Sequence, residues 1–226
     1  MVCLETEARE NLQIKEKFGH CLSYILPSTG NPVVHWPSYS KLYQQLCEGI
    51  TLNNGTKIYW FDKKGKGNGY FLLPKSLSIA WIDDRRYWKW IFVELSGKKL
   101  EVAELIRVSW LDARGKIKEY MLSPGIVYEV LCHLLLKPGA SGWHEPINFG
   151  LTFPDGKTYV NQESLECRPR DVWFTIKVGE FKVDDRHGCD STKEYEFSMY
   201  NHGGHWKTEM ILKGYEIRPK QSSCGC

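Results

Sequence analysis

From residue 53 onward, apolar and polar positions alternate in short runs, and a period of two is that of half-buried strands. Runs at 57–61, 70–74, 77–81, 88–93, 105–111, 116–122, 126–136, 147–153, 172–181, 194–200 and 209–217 fit the pattern. Within 105–111 the alternation puts Ile106, Val108 and Trp110 on one face and Arg107 and Ser109 on the other. Asp112-Ala-Arg-Gly115 then has the composition of a turn. No helical segment stands between consecutive runs, so the pattern predicts an all-β antiparallel sandwich or barrel.

Residues 1–52 follow a different period. Ala8, Leu12, Phe18 and Leu22 recur near one helical face, until Pro27, Ser28, Gly30 and Pro32 break the pattern. A second short helix is expected after Ser38 as N-cap, with Tyr39, Leu42, Tyr43 and Leu46 on one side and Gly49 as its stop. The chain therefore divides into a short helical N-terminal extension (1–52), a β domain (53–220) and a polar tail (221–226).

Composition narrows the function classes. A chain of 226 residues with 42% hydrophobic content and nine Trp, twelve Tyr and nine Phe can bury a sizeable core. Its formal charge of +3 is too mild to identify a polyanion binder. No run has the roughly 18 apolar residues of a membrane helix. The charged start from Met1 to Glu10 lacks the regions of a signal peptide, which leads to the expectation of a cytoplasmic protein. The eight cysteines form no C-x-x-C pair, so no structural zinc site is expected. Cys132 lies in an apolar run and reads as a small buried hydrophobe. Cys224 and Cys226, on the polar tail, are candidates for intermolecular disulfides.

Catalytic chemistry finds little support. Asp83-Asp84 and Asp184-Asp185 are sequence neighbours whose side chains tend to point apart. His144, His187, His202 and His205 sit in Gly- and Pro-rich loops with no established metal spacing, and read as turn residues. With neither a P-loop nor a nucleophile elbow, the chain is read as a non-enzyme that needs no cofactor or metal.

Binding chemistry concentrates in Trp81-Ile-Asp-Asp-Arg-Arg-Tyr-Trp88-Lys-Trp90, where large rings are interleaved with charges. A sugar presents a flat patch of C–H groups to a ring and hydroxyls to nearby polar groups, so this mixture suits it. A nucleobase would suit it too, with Lys63, Lys64, Lys66, Lys98 and Lys99 as phosphate contacts for RNA. Trp81 and Trp88 are seven residues apart, which in one strand would place them on opposite faces. The charges between them argue instead for a loop that brings both rings to one rim. Large aromatics dominate cores, and Trp90 and Trp110 are assigned there by their parity.

Several ordered blocks resemble the phloem protein 2 (Nictaba-like) lectin family of plants. They include Leu77-Ser-Ile-Ala-Trp81, Arg86-Tyr-Trp88, Val102-Ala-Glu-Leu105, Val108-Ser-Trp-Leu111, Gly142-Trp143, Gly179-Glu-Phe181, His205-Trp-Lys207 and Gly214-Tyr-Glu-Ile-Arg-Pro-Lys220. At 26.2 kDa and ending in Cys-Gly-Cys, the chain is most similar to cucurbit phloem lectins. The resemblance implies a jelly-roll-like β-sandwich that binds N-acetylglucosamine and chitin oligosaccharides, as a homodimer and without enzymatic activity. It implies binding tryptophans at Trp81 and Trp88, flanked by Tyr87 and Arg86, with Glu180 as the acidic partner. Many relatives carry a further Glu where this chain has Thr175, and no role is transferred there. The family further implies a defence-related role in phloem sieve elements and companion cells. Crosslinking to the filament-forming phloem protein 1 through disulfides is implied too, with RNA binding as the alternative activity.

Overall fold

In the computed structural model, residues 39–62, 67–95, 97–185 and 192–221 are described. The second N-terminal helix is present as α1 (Tyr39–Glu48). It ends as the glycine requires: Gly49 has φ +91° and donates its N–H to the Gln45 carbonyl at 3.0 Å. The first helix and the Cys-Gly-Cys tail lie outside the described residues. Leu46 of α1 is buried in the same core cluster as the strands, and β1 (Ile50–Leu52) pairs with β2 (Lys57–Asp62). Residues 39–52 thus pack on the β domain directly, and position 52 does not separate two packed units.

The remaining strands are β3 (Gly67–Leu72), β4 (Ser78–Ile79), β5 (Trp88–Leu95), β6 (Lys98–Val108), β7 (Leu111–Lys118) and β8 (Val127–Leu136). They continue with β9 (Ile147–Thr152), β10 (Thr158–Glu163), β11 (Phe174–Lys182), β12 (Glu194–Asn201) and β13 (Lys207–Pro219). All strand pairs are antiparallel and form two sheets: the alternation left sandwich or barrel open, and the chain takes the jelly-roll-like sandwich that the family resemblance implied. The eight-stranded sheet is organised on β13, the longest strand. One edge of β13 pairs with β6 and then β3; the other pairs with β8, which carries β11. The second sheet runs β10-β9-β12-β7-β4.

Between the sheets lie Trp88, Trp143, Tyr59, Tyr70, Tyr128, Tyr215, Phe149 and Phe197, all fully buried, with Cys132 among their neighbours as expected. At about 25 cal/mol per Å² of apolar surface, these large side chains dominate the folding energy.

One turn and one strand depart most from the sequence reading. The chain turns at Ser109–Trp110 rather than at 112–115, because β7 keeps a clean alternation with Leu111, Ala113, Gly115 and Ile117 inward. Strand β10 carried no expectation; as an edge strand it leaves Tyr159 and Val160 exposed, and no apolar period marks it.

Candidate functional site

The link from β4 to β5 (residues 80–87) crosses from one sheet to the other at one end of the sandwich. It is closely tied by its own backbone. Ala80 donates to the Asp112 carbonyl at 2.9 Å, Asp84 to that of Trp81 at 3.0 Å, and Tyr87 to that of Asp84 at 2.9 Å. Trp81 sits at φ +63°, a left-handed conformation costly for a bulky residue, and its ring is 57% exposed. Such strain persists only where the surroundings enforce it, and it clusters at functional positions.

Around that ring the loop places polar and aromatic groups. The Tyr87 ring is 6.0 Å away at 57°. Arg86 lies 5.3 Å from the Tyr87 ring and grips Asp84 with two nitrogens, at 3.1 and 2.7 Å. The Arg86 bonds hold the Asp84 carboxyl below the usual carboxylate range, so this acceptor stays ionised. A shallow depression of about 520 Å³, lined by Ile79, Trp81, Ile82, Asp83, Asp84 and Arg85, opens beside the ring.

The expected site residues do not all converge here. Trp88 is 1% exposed and packed in the core, with its indole N–H donated to the Ala80 carbonyl at 3.1 Å. It offers no face to a ligand; its role is to pin the residue before Trp81. Glu180 lies on β11, at the far side of the large sheet. Its partner Glu129 pairs with Arg218 of β13, whereas Trp88 pairs with Leu105 and Leu105 with Met210 of β13. Positions 210 and 218 are eight residues apart, about 26 Å along the strand at ~3.3 Å per residue. There Glu180 is paired with Lys177 and with Lys220 at 2.8 Å, in an ion-pair cluster remote from Trp81.

Two tryptophans assigned to the core are at the surface. Trp90 is 37% exposed, with the Lys75 ammonium 5.5 Å from its ring. It lies on β5, the edge strand of the large sheet. Trp110 is 49% exposed because the chain turns at it.

Trp110 marks a wider aromatic rim that sequence reasoning missed. The His202 ring stacks on it at 3.9 Å and 7°, and Trp206, 51% exposed, lies 5.6 Å from the Arg107 guanidinium. Beneath the rim Lys207 is fully buried and donates to the carbonyls of Ser109, His205 and Gly203, at 2.7, 3.2 and 3.4 Å. One ammonium thus ties the β6–β7 turn to the β12–β13 loop. Its only signal in the sequence was a lysine next to an aromatic, which no periodicity distinguishes from a surface residue.

Burial pulls the Lys207 ammonium down to about 8, whereas the unfolded chain holds that proton to about 10.5. Between those values the unfolded state binds more protons, so this residue makes stability rise with pH. Lys207→Met should remove the rise. The melting-temperature gap between wild type and variant is expected to move in favour of wild type from pH 8 to 10 and to stay level below pH 8. A gap level across the whole range would show that Lys207 titrates as an exposed lysine.

Among the described residues, no group of three His, Cys, Asp or Glu is placed to hold a metal, although the His144 and His205 rings approach to 5.4 Å. Of the lysines considered for RNA, Lys63, Lys64 and Lys66 lie outside the described residues, and the Lys99 ammonium sits 4.5 Å from the Phe92 ring. No helix among the described residues is long and apolar enough to cross a membrane.

A family model described as phloem protein 2 matches residues 67–219. A lectin of Luffa acutangula is 43% identical over 205 residues, covering 91% of this chain and 96% of that protein. A lectin of Coccinia grandis is 38% identical over 151 residues, 67% of this chain and 94% of that one. Protein PHLOEM PROTEIN 2-LIKE A1 of Arabidopsis thaliana is 40% identical, covering 80% and 73%. A xylan-binding CBM22-1 domain from Paenibacillus barcinonensis aligns over 67% of this chain and 90% of its own, at 12% identity and a TM-score of 0.37. That likeness is too loose to bear on the site.

Proposed function

The chain belongs to the phloem protein 2 family, and on that premise we propose that it is a carbohydrate-binding lectin for N-acetylglucosamine and its chitin-type oligomers. What carries this reading is Trp81: a large ring, 57% exposed, held by a strained and hydrogen-bonded loop beside an ionised acceptor and a guanidinium. The indole takes the C–H face of a sugar, Tyr87 closes one side, and Asp84 and Arg86 address hydroxyl and N-acetyl groups. Two further features fit the same use: full-length relatives named lectins, and a site that is open rather than enclosed. The protein acts by binding, with no reaction catalysed.

A single ring on a shallow surface gives micromolar to millimolar dissociation constants, about −8 to −4 kcal/mol. Assembly would compensate for that weakness. We propose a homodimer, tied through Cys224 and Cys226 to the filament protein of the phloem, where paired sites raise avidity without new contacts. Such a filament-linked lectin in the cytoplasm of sieve elements and companion cells would serve defence by capturing chitin fragments.

Trp81→Ala is expected to weaken binding of the N-acetylglucosamine trimer at least tenfold, equivalent to about 1.4 kcal/mol, with the melting temperature unchanged. Tryptophan fluorescence titration and thermal unfolding measure the two quantities. Wild-type affinity for the trimer should also stay flat between 50 and 200 mM salt, since no counterions are released. A steep loss with salt, matched by tight binding of single-stranded RNA, would replace the sugar reading with the nucleic-acid one.

A further inference from the structure

Trp110 is costly where it sits. It occupies the turn between β6 and β7, a place that favours Gly or Asn, and leaves half of a large apolar ring in water. Yet its ring is held firmly. His202 covers one face in a parallel stack at 3.9 Å, and His202 Nε2 is bonded to Asp112 Oδ2 at 2.9 Å. Asp112 in turn accepts from Arg114 Nε at 2.8 Å and from Arg114 Nη2 at 3.0 Å, and Arg114 Nη1 reaches Glu196 at 2.9 Å. Four side chains from β7, β12 and the loop after it thus hold one exposed ring in a single orientation. Burial opposes the charge on Asp112, but the bonds from Arg114 and His202 outweigh it and keep the carboxyl below the usual range. The Asp112–Arg114 pair at the centre of the network therefore stays ionised at neutral pH. A ring fixed in advance on one face and open on the other has already met the ordering cost that binding would impose.

The register brings the backbone at Trp110 near that at Trp81. Ile79 of β4 faces Ala113 of β7, and one step on, Ala80 donates to the Asp112 carbonyl at 2.9 Å. The backbones at 81 and 110 are therefore within about 10 Å of each other, from strand spacing and rise. Lys207 pairs with Val108 across β13 and β6, which sets Trp206 on the other side of the same turn. Three exposed tryptophans from three separate loops thus lie at one end of the sandwich: Trp81, Trp110 and Trp206.

Building on the lectin reading, we infer that Trp110 is a second sugar-ring platform, reached by a ligand that extends beyond Trp81. Trp81 takes one ring of the chain, Trp110 a ring further along, and Trp206 the end of longer ligands. His202 and Asp112 are positioning residues that act through Trp110.

Titration of wild type, Trp81→Ala, Trp110→Ala and Trp110→Phe with the N-acetylglucosamine monomer, dimer, trimer and tetramer tests this. Wild-type affinity is expected to rise with length. Trp110→Ala should bind the monomer as wild type does but lose about tenfold on the trimer and tetramer, while Trp110→Phe, which keeps a ring, recovers most of that loss. His202→Ala should lower trimer affinity without touching the monomer. The inference is overturned if Trp110→Ala matches wild type on every ligand, or if it loses all four equally. If wild type binds none of the oligomers, the lectin reading itself fails. If Trp81→Ala fails to weaken the monomer while the length dependence still vanishes in Trp110→Ala, only the placement of the first ring is wrong.

Discussion

Trp88→Ala is expected to lose about 3–5 kcal/mol of folding stability, and with it the cooperative melt at physiological temperature. The side chain is 1% exposed, and no neighbour can move in to fill an indole-sized void against the two sheets. The substitution also leaves the Ala80 carbonyl without its donor, and that carbonyl precedes the strained Trp81. Sugar binding is thus expected to vanish because the protein unfolds, not because a platform is missing. Trp88→Phe separates the two contributions. It keeps most of the apolar volume and removes the N–H, so it should cost about 1–2 kcal/mol and loosen the loop. Urea midpoints with far-UV detection give both numbers. An alanine variant with a wild-type midpoint and no sugar binding would return Trp88 to the surface.

The contrast between Trp81 and Trp88 shows how far one chain can be read. Their seven-residue separation and the charges between them pointed to a loop, and residues 80–87 are one. That Trp88 begins a strand facing inward, rather than ending the loop facing out, depends on Leu105 and on the second sheet above it. Neither is visible in a local pattern. The same holds for Trp90 and Phe92, which share the parity of Trp88. Parity says which face of β5 they occupy, but β5 is an edge strand, and along that one face burial falls away from Trp88 at 1% exposed to Trp90 at 37% and Phe92 at 60%.

Trp110 was misplaced for a different reason. The Tyr87 carbonyl accepts from both Ile106, at 2.8 Å, and Arg107, at 3.4 Å, so two residues of β6 oppose one and the strand's alternation is interrupted there. Gly115 then mimics a turn signal. Its lack of a side chain is used for packing, since a Cβ there would lie 2.3 Å from the Phe197 ring. Glu180 exposes the remaining limit: a short motif says nothing about which of two strand edges it occupies, and five strands separate the β5 edge from the β11 edge when both are counted in. Local periodicity thus revealed most strands and the exposed ring of Trp81, while bulges, edge coverage and sheet order decided the rest of the site.

The largest loss expected of any surface-loop substitution is that of Gly142→Ala. Gly142 has φ +79°, and a Cβ there would fall 1.8 Å from the Trp206 carbonyl oxygen and 2.8 Å from its carbon. Both atoms are backbone, so no rotamer can relieve the overlap. Around this contact the loop and β13 are laced together: Thr208 donates to the Ser141 carbonyl at 3.0 Å, and the buried Trp143 indole donates to the Thr208 carbonyl at 2.9 Å. Separating the two chains would move Trp206 and the Lys207 ammonium with them, and so the whole aromatic rim. Gly156→Ala supplies the control. Its φ of +84° is nearly the same, yet nothing lies within 4 Å of the added carbon. Left-handed strain alone should cost that variant about 1–2 kcal/mol. Gly142→Ala should exceed about 4 kcal/mol or fail to fold, a loss reserved for backbone overlap and comparable defects. Paired urea unfolding curves compare them directly, and midpoints that agree within error would mean that the Gly142–Trp206 approach is not the constraint on this end of the sandwich.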